Sequence, residues 1–517
     1  MLANPNGQKP QGTLTDHSRS ARKLIDLNDD LLWVIINDYM LKASPIATDE
    51  GNDSDVVDHV DALINLSLVC RRLREACKPM LFHRIILSEN VISPDLDNNE
   101  AVLRISSYVN TLIVALPWVP DELSCLQLFP RMLQLRTVVF RLYDEGLHFD
   151  LMQGILTAPN LETLVVDNVT WRYSPAYDPD EAPVLPPLRR IIDRQRNLFR
   201  SQAEQRRLSP YDPADYTFTF RCCVLAQAQD TMEVICMPSD KLCLSFLSTC
   251  IWKSMRELVL YGDSPIPDVP FISVIQAMPN LRVLKCLSWQ TEPLEICPAE
   301  SAVPVQPLHL QDIILRSVLL DNPFFKMLPE DVRSLSIRAN FYSPRATTYN
   351  SEELLRFLRL RTFPRLEFLE TDCTVPSGDP SSLRHIGNAL VSFCPNIRDL
   401  TIYCYLTRNT QSDTVYETRS DFAPFISALS QLKNLRNLRL YLQVRKSIDF
   451  EKYMTWTIEL LPWLDTIGFL FYSYGRTHRR QWAVGKTDRS DGSVKLADIT
   501  NVPDDPSYGI FNDYKVE

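Results

Sequence analysis

Pro159-Asn160-Leu161-Glu162-Thr163-Leu164-Val165-Val166 is the stretch that decides the fold, because it returns along the chain. Pro279-Asn280-Leu281-Arg282-Val283-Leu284, Cys394-Pro395-Asn396-Ile397-Arg398-Asp399-Leu400-Thr401-Ile402 and Lys433-Asn434-Leu435-Arg436-Asn437-Leu438-Arg439-Leu440 carry the same order. In each, an Asn precedes one aliphatic residue and a second follows three positions later. Weaker copies run through 109–114, 135–140, 255–260, 310–315, 332–337, 364–369 and 462–467. The second aliphatic of each copy falls at 112, 138, 164, 258, 284, 313, 335, 369, 400, 438 and 467. The steps are 26, 26, 94, 26, 29, 22, 34, 31, 38 and 29. One copy would mean nothing, but eleven aligned copies define a repeat. The step of 94 predicts an insertion, or degenerate repeats, over about 170–250.

What precedes the copies supports a unit of helix followed by strand. Phe271, Val274, Ile275 and Met278 lie before Pro279, and Asp421, read as an N-cap, leads Phe422, Phe425, Ile426 and Leu429 before Leu432. Both show the i, i+3, i+4, i+7 spacing of an amphipathic helix. Similar helices fit 150–156, 351–360 and 383–393. The Pro-Asn pair then ends the helix and opens a short strand whose Leu161, Leu164 and Val166 face inward. Such a unit leaves an apolar face uncovered, so stacking on its neighbours is the way to bury it. A parallel sheet with right-handed crossovers follows. The period lies near the roughly 20 to 29 residues of leucine-rich repeats or somewhat above it. The fold class is therefore α/β, with an irregular leucine-rich-repeat solenoid over 100–475, parallel strands on one face and helices on the other.

The residues beside the inward Leu positions are expected on the open sheet surface. They are Glu162, Thr163, Arg282, Lys285, Glu367, Glu370, Arg398, Asp399, Arg436 and Arg439. Arg398, Asp399, Arg436 and Arg439 are the candidate substrate-binding set, since repeat proteins commonly bind through exposed strands.

Composition excludes several classes of function. The 517 residues include only 13 Gly beside 36 Pro, against an average near 7% Gly. Gly lets a backbone take positive φ and press against phosphate. No G-x-G-x-x-G occurs, and Gly485-Lys486-Thr487 has Arg480 where a Walker A loop needs Gly. A net charge of −10 argues against general affinity for nucleic acid or an anionic membrane. The 13 Cys form no C-x-x-C pair, and the seven His form neither H-E-x-x-H nor a zinc spacing with Cys. The polar amino terminus lacks the apolar run of a signal peptide, and nothing approaches the roughly 20 apolar residues of a membrane span. The expectation is a cytoplasmic and/or nuclear protein with reduced thiols, no catalytic residue, no metal and no cofactor. Leu188 to Leu208, rich in Arg, is expected to be a basic amphipathic helix, preferably one neutralised by Asp178, Asp180 and Glu181 of its own chain.

Ahead of the repeats lies a polar leader, 1–23, and then an apolar unit over 24–87 interrupted by an acidic insert at 43–61. Asn28 is a good N-cap, with Asp29 and Asp30 in the first turn where the helix dipole favours anions. Leu31, Leu32, Ile35, Ile36 and Tyr39 follow at helical spacing. A second helix is expected from Ala62 to Cys77, with Leu63, Leu66, Val69, Cys70 and Leu73 on one stripe. Pro79 is expected to break it before the β-like run Arg84-Ile85-Ile86-Leu87. A polar tail is expected over 486–517.

Leu27-Asn28-Asp29-Asp30-Leu31-Leu32 through Ile36, then Leu66-Ser67-Leu68-Val69-Cys70-Arg71-Arg72-Leu73-Arg74 and Pro79-Met80-Leu81-Phe82, resemble an F-box. The order of this unit before leucine-rich repeats is similar to that of fungal F-box proteins. Asn28 stands where the family usually has Pro, Leu73 and Phe82 where it often has Trp, and the acidic insert lengthens the link between the helices. The resemblance implies docking on the Skp-type adaptor, and through it the cullin, of an SCF-type (cullin-RING) ubiquitin ligase. It assigns the adaptor contact to Leu27, Leu31, Leu32, Ile35, Ile36, Leu66, Val69, Cys70, Leu73, Leu81 and Phe82. The repeats would then hold a protein substrate beside a conjugating enzyme carried elsewhere in the complex. A non-ligase interaction scaffold built on the same solenoid is the competing class.

Overall fold

Within each of two units, the second aliphatic of each repeat becomes one rung of a ladder across parallel strands laid side by side in chain order. The computed structural model describes residues 64–88, 105–115, 129–141, 154–167, 186–194, 224–239, 242, 244–262, 269–288, 296–297, 308–338, 349–376, 380–407, 419–442, 450–473, 479–488 and 495–503. The leader, the acidic insert, the first expected helix and the last residues of the expected tail lie outside them. The chain divides into two units, 1–143 with 151–161, and 144–150 with 162–517.

In the first unit, residues 64–69 form a short helical stretch, followed by α1 (Arg71–Leu81) and the parallel strands β1 (Arg84–Ser88), β2 (Thr111–Ala115) and β3 (Thr137–Arg141). Ile85, Leu112 and Val138 pair across them. Two expectations are corrected here. The second helix is not continuous: Cys70 takes an extended conformation (φ −157°, ψ 163°), and its Sγ accepts the Leu73 amide at 3.5 Å as the N-cap of α1. Nor does Pro79 break the helix, since it lies inside α1 with the Phe82 amide still bonded to the Lys78 carbonyl at 2.9 Å. Proline lacks its own N–H and crowds the carbonyl four residues back, a cost that is tolerated two residues from a helix end.

The second unit carries parallel strands β4 (Thr163–Asp167), β5 (Arg190–Arg194), β6 (Val234–Pro238), β7 (Glu257–Gly262), β8 (Val283–Ser288) and β9 (Asp312–Arg316). β10 (Ser334–Arg338), β11 (Phe368–Pro376), β12 (Asp399–Thr407), β13 (Asn437–Leu442) and β14 (Thr466–Ser473) continue in the same direction. Leu164, Ile191, Ile235, Leu258, Leu284, Ile313, Leu335, Leu369, Leu400, Leu438 and Ile467 pair in one unbroken register. All are buried. Burying one such side chain contributes about 1.5 to 3 kcal/mol, so the ladder is the main apolar payload of the sheet. Crossovers of the usual right hand between parallel neighbours place the connecting helices on one face of such a sheet.

Ile191 and Ile235 resolve the step of 94 into 27, 44 and 23. The stretch expected as an insertion thus contributes two further rungs. The expected basic helix from Leu188 begins instead as β5, because two consecutive β-branched residues, Ile191 and Ile192, are buried on its opposite faces. The expected polar tail is corrected too. β15 (Arg479–Asp488) and β16 (Lys495–Pro503) extend the sheet antiparallel beyond β14.

The crossovers of the second unit carry α2 (Leu244–Thr249), α3 (Phe271–Gln276), α4 (Phe324–Met327), α5 (Ser351–Leu358), α6 (Pro380–Phe393), α7 (Arg419–Leu429) and α8 (Phe450–Leu460). Asn350 and Glu353 form a capping box at the start of α5, which stops at Leu358 rather than Leu360. α7 begins at Arg419, so Asp421 lies within it and not at its cap.

The turns explain the Asn of the motif. Asn160 Nδ2 donates to the Leu133 carbonyl at 2.8 Å, Asn280 to Lys253 at 2.7 Å and Asn396 to Pro364 at 2.7 Å. At the same position of other turns, Thr231 Oγ1 donates to Leu188 at 2.7 Å and Ser254 Oγ to Asp230 at 2.6 Å. Each side chain thereby ties a turn to the one before it.

α6 meets α7 through a close approach that demands glycine. A Cβ placed on Gly387 would sit 2.8 Å from Ala428 Cβ and 3.3 Å from the Phe425 ring. Gly387→Val is expected to destabilise the protein by about 1 to 3 kcal/mol through overpacking. Urea unfolding of the variant beside the wild type measures it, and an unchanged midpoint would refute the close contact.

Candidate functional site

Leu73 and Cys77 make the small core of the helical unit, with Leu66, Cys70, Ala76, Met80 and Leu81 packed against it. Of the residues that the resemblance assigned to an adaptor, Leu66, Cys70, Leu73 and Leu81 therefore serve the internal core. Leu73 is only 5% exposed. Val69 turns outward at 69% exposure, and Phe82 is half-buried. Leu27, Leu31, Leu32, Ile35 and Ile36 lie outside the described residues. Two apolar residues not assigned to that face, Ile64 and Leu68, join Val69 on the surface, with Leu68 at 65% exposure. Ile64 and Leu68 are spaced i, i+4, which places them on one side of a helix. That spacing was the signal that could have found them. The Cys70 interruption redirects the chain between this outward group and the inward stripe of α1.

In the second unit the candidate surface residues separate into rows. Arg398 and Arg436 sit in the turns just before β12 and β13. The Arg436 guanidinium donates to the Trp463 carbonyl at 2.9 Å, whereas Arg398 is exposed. Asp399, one residue on, accepts from the Asn437 amide, whose Oδ1 accepts from Thr466 Oγ1 at 2.6 Å. Arg439 is exposed on β13 between Thr401 and Gly468. The four candidate substrate residues thus occupy neighbouring rungs, but Asp399 and Arg436 are engaged within the protein. Glu162, Arg282 and Glu367 belong to the turn row, and Thr163 to the first strand row.

Lys285 and Glu370, expected on an open surface, are instead enclosed. Lys285 Nζ reaches Glu257 Oε1 at 3.4 Å. Glu370 holds together four strands: Arg316 of β9 at 3.3 Å, Arg338 of β10 at 3.2 Å, Ser336 of β10, and Tyr403 of β12 at 3.3 Å. Arg316 also donates to Ser336 Oγ at 2.8 Å, and the Arg338 guanidinium lies 3.7 Å over the Tyr403 ring. Burial pushes the Glu370 carboxyl up, but Arg338, Arg316, Ser336 and Tyr403 together outweigh it and hold the group at about 2. Burial likewise draws Arg316 below its ordinary value against the pull of Glu370. The sequence carries no sign of this group, since its members lie up to 87 residues apart, from Arg316 to Tyr403.

The chemistry available elsewhere is limited. A hydrogen bond to Cys404 and burial keep the Cys373 thiol well above its ordinary range, and burial pushes Cys394 up to about 12. Such thiols are poor nucleophiles at neutral pH. Among the described residues no His, Cys, Asp and Glu grouping could hold a metal ion, and no helix is long and apolar enough to cross a membrane. A hollow lined by Ile275, Gln276, Met278 and His309 has a cavity volume of only about 10 Å³, far below the ~300 to 1,000 Å³ of ordinary ligand pockets.

No family model matches the chain, and neither does any curated protein. Among solved structures, the crystal structure of the Rad7 and Elc1 complex in yeast is similar at 11% sequence identity and a TM-score of 0.32, over 83% of this chain and 93% of that one. A likeness at that score leaves both fold and function to be argued from this chain's own residues.

The Glu370 group sets a pH dependence. Its folded pKa, about 2, lies below the ordinary 4.5, so its contribution is fully present above about pH 4.5 and is lost as pH falls toward 2. Glu370→Gln leaves Arg316 and Arg338 without their counter-ion and is expected to destabilise by about 3 to 5 kcal/mol at neutral pH. The loss should shrink between pH 4.5 and 2 in urea melts. A constant difference across that range would refute the assignment.

Proposed function

We propose that this chain is the substrate-recognition subunit of an SCF-type (cullin-RING) ubiquitin ligase, its helical unit docking a Skp-type adaptor and its repeats holding a protein substrate. The observation that carries the reading is the exposed apolar group Ile64, Leu68 and Val69. It lies within the segment resembling an F-box, beside a core that Leu73 and Cys77 already fill. Apolar side chains exposed together on so small a helical unit mark a contact with another protein. Leu68 and Val69 are each about two-thirds exposed and take no part in that core.

The repeats supply the second half of the reading. A ligase receptor performs no chemistry; it holds a substrate close to a conjugating enzyme, and the gain comes from raised effective concentration. A sheet fixed rung by rung suits that task, because a rigid surface loses little conformational entropy on binding.

Leu68→Asp combined with Val69→Asp is expected to abolish co-purification of the Skp-type adaptor and cullin. Burying each side chain contributes about 1.5 to 3 kcal/mol, so losing both weakens binding about a hundredfold or more. Both residues are exposed, so circular dichroism and the unfolding midpoint should hold. Undiminished adaptor capture would overturn the reading and favour a scaffold outside the ligase.

A further inference from the structure

The residue just before each strand forms a column along one edge of the sheet. In the second unit that column runs Glu162, Arg189, Glu233, Arg256, Arg282, Gln311, Arg333, Glu367, Arg398, Arg436 and Asp465. Each lies one turn from the next, because its carbonyl accepts the amides of the following member and of the residue after it. At the amino-terminal end the signs alternate, and Arg189 pairs with Glu233 at 3.7 Å. At the other end Glu367 and Asp465 bracket Arg398 and Arg436. Between them, at the feet of β7 to β10, the column reads Arg256, Arg282, Gln311 and Arg333 with no acidic member.

The three arginines are exposed, and among the described residues no ion pair or side-chain hydrogen bond engages their guanidinium groups. Adjacent strands lie about 4.8 Å apart, so Arg256 and Arg282 are near neighbours, and like charges directly opposite destabilise a sheet. Of the next residues along β7 and β9, Glu257 does not relieve them, while Asp312 is within reach of both Arg333 and Lys285. Alternation in a strand turns Glu257 and Asp312 to the other face, where Lys285 meets Glu257 at 3.4 Å and acts on Asp312. Lys253, also exposed, adds positive charge beside Arg256. The protein therefore carries a line of exposed arginines about 14 Å long, three strand spacings, flanked by Glu233 and Glu367 and with Asp312 acting on Arg333, on a chain whose net charge is −10.

We propose that this turn edge binds an extended acidic segment of a protein partner, with Arg256, Arg282 and Arg333 taking carboxylate or phosphate groups. A guanidinium fork engages both anions bidentately. An extended peptide covers about 14 Å in four or five residues, and acidic side chains at alternate positions then meet successive arginines. Nucleic acid fits less well. Its affinity comes from neutralising many phosphates within a broad basic field, and this line is one residue wide on an acidic protein. The proposal deepens the substrate-binding half of the function above and rests on the repeats being a recognition surface; adaptor docking is separate from it.

Fluorescence anisotropy on the full chain tests the proposal. The probes are short labelled peptides of alternating Glu and Ser, the same peptide with phosphoserine in place of Glu, an uncharged Gln and Ser version, and a single-stranded oligonucleotide. One or both acidic peptides should bind, more weakly as salt rises, and the uncharged peptide should not. Arg256→Glu, Arg282→Glu and Arg333→Glu together should weaken binding by about tenfold or more, and Arg384→Glu on α6 should not. Arg282→Gln alone, which adds no new charge, should give a smaller loss in the same direction. Equal binding of charged and uncharged peptides, an unaffected triple variant, or an oligonucleotide that binds tighter than either peptide through these arginines would each overturn the proposal. Adaptor co-purification, measured on the same variants, should be unchanged. Peptide failure with adaptor capture intact would remove this proposal and leave the ligase reading standing.

Discussion

The carbonyl oxygen ahead of each strand accepts two amide protons from the next turn: Arg256 from Arg282 and Val283, Arg282 from Gln311 and Asp312, Arg333 from Glu367 and Phe368, and Arg398 from Arg436 and Asn437. Both lone pairs of the oxygen are engaged, so the start of every strand is fixed against its predecessor before any side chain contributes. Register follows from that clamp. A slip of one residue would exchange the two faces of a strand and carry the aliphatic ladder out of the core. The Asn, Thr and Ser side chains that reach back to the preceding turn repeat the same restraint from a second atom.

Because register is fixed, charge is also placed by rung, and the sheet uses it in two different ways. On β9 to β12 the charges are turned into the fold, where Glu370 joins Arg316, Arg338 and Tyr403. Enclosed charge carries a large desolvation cost that only close partners offset, so this face is spent on holding strands together. Along the turn edge the same residue types stay in water, where a guanidinium keeps its hydration until a partner replaces it. The helical unit divides its apolar residues in a comparable way, with Leu73 and Cys77 inward and Leu68 and Val69 outward.

The repeat was legible because its marker is short and local. Leu258, Leu284, Ile313 and Leu335 recur within a few turns of one another, and each later proved to be a paired rung. Ile191 and Ile235 escaped notice, since Arg-rich and Cys-Met surroundings replace the Asn-Leu context and their crossover spans 44 residues. β15 and β16 were hidden for another reason: strands at the end of a sheet have less apolar surface to bury, so Lys486 and Asp498 read as a tail. Long-range pairings such as Arg316 with Glu370 leave no local trace at all. In the helical unit the apolar stripe was visible, but its division between core and surface depends on the extended backbone at Cys70, which an unremarkable Cys in an aliphatic run does not announce.

The change of strand direction at β15 carries a further consequence. A parallel array extends only by adding a crossover and leaves each newest strand with a row of open amides and carbonyls. The antiparallel pair β15 and β16 occupies that row on β14, with Thr466 to Ser473 bonded along its length. A chain stopped at Ser473 would present Ile467 and Phe469 on a bare edge, a template for joining a second copy strand to strand. The carboxy-terminal pair therefore moves the outer edge from the apolar β14 to β16, whose Lys495 and Pro503 are residue types that discourage edge pairing.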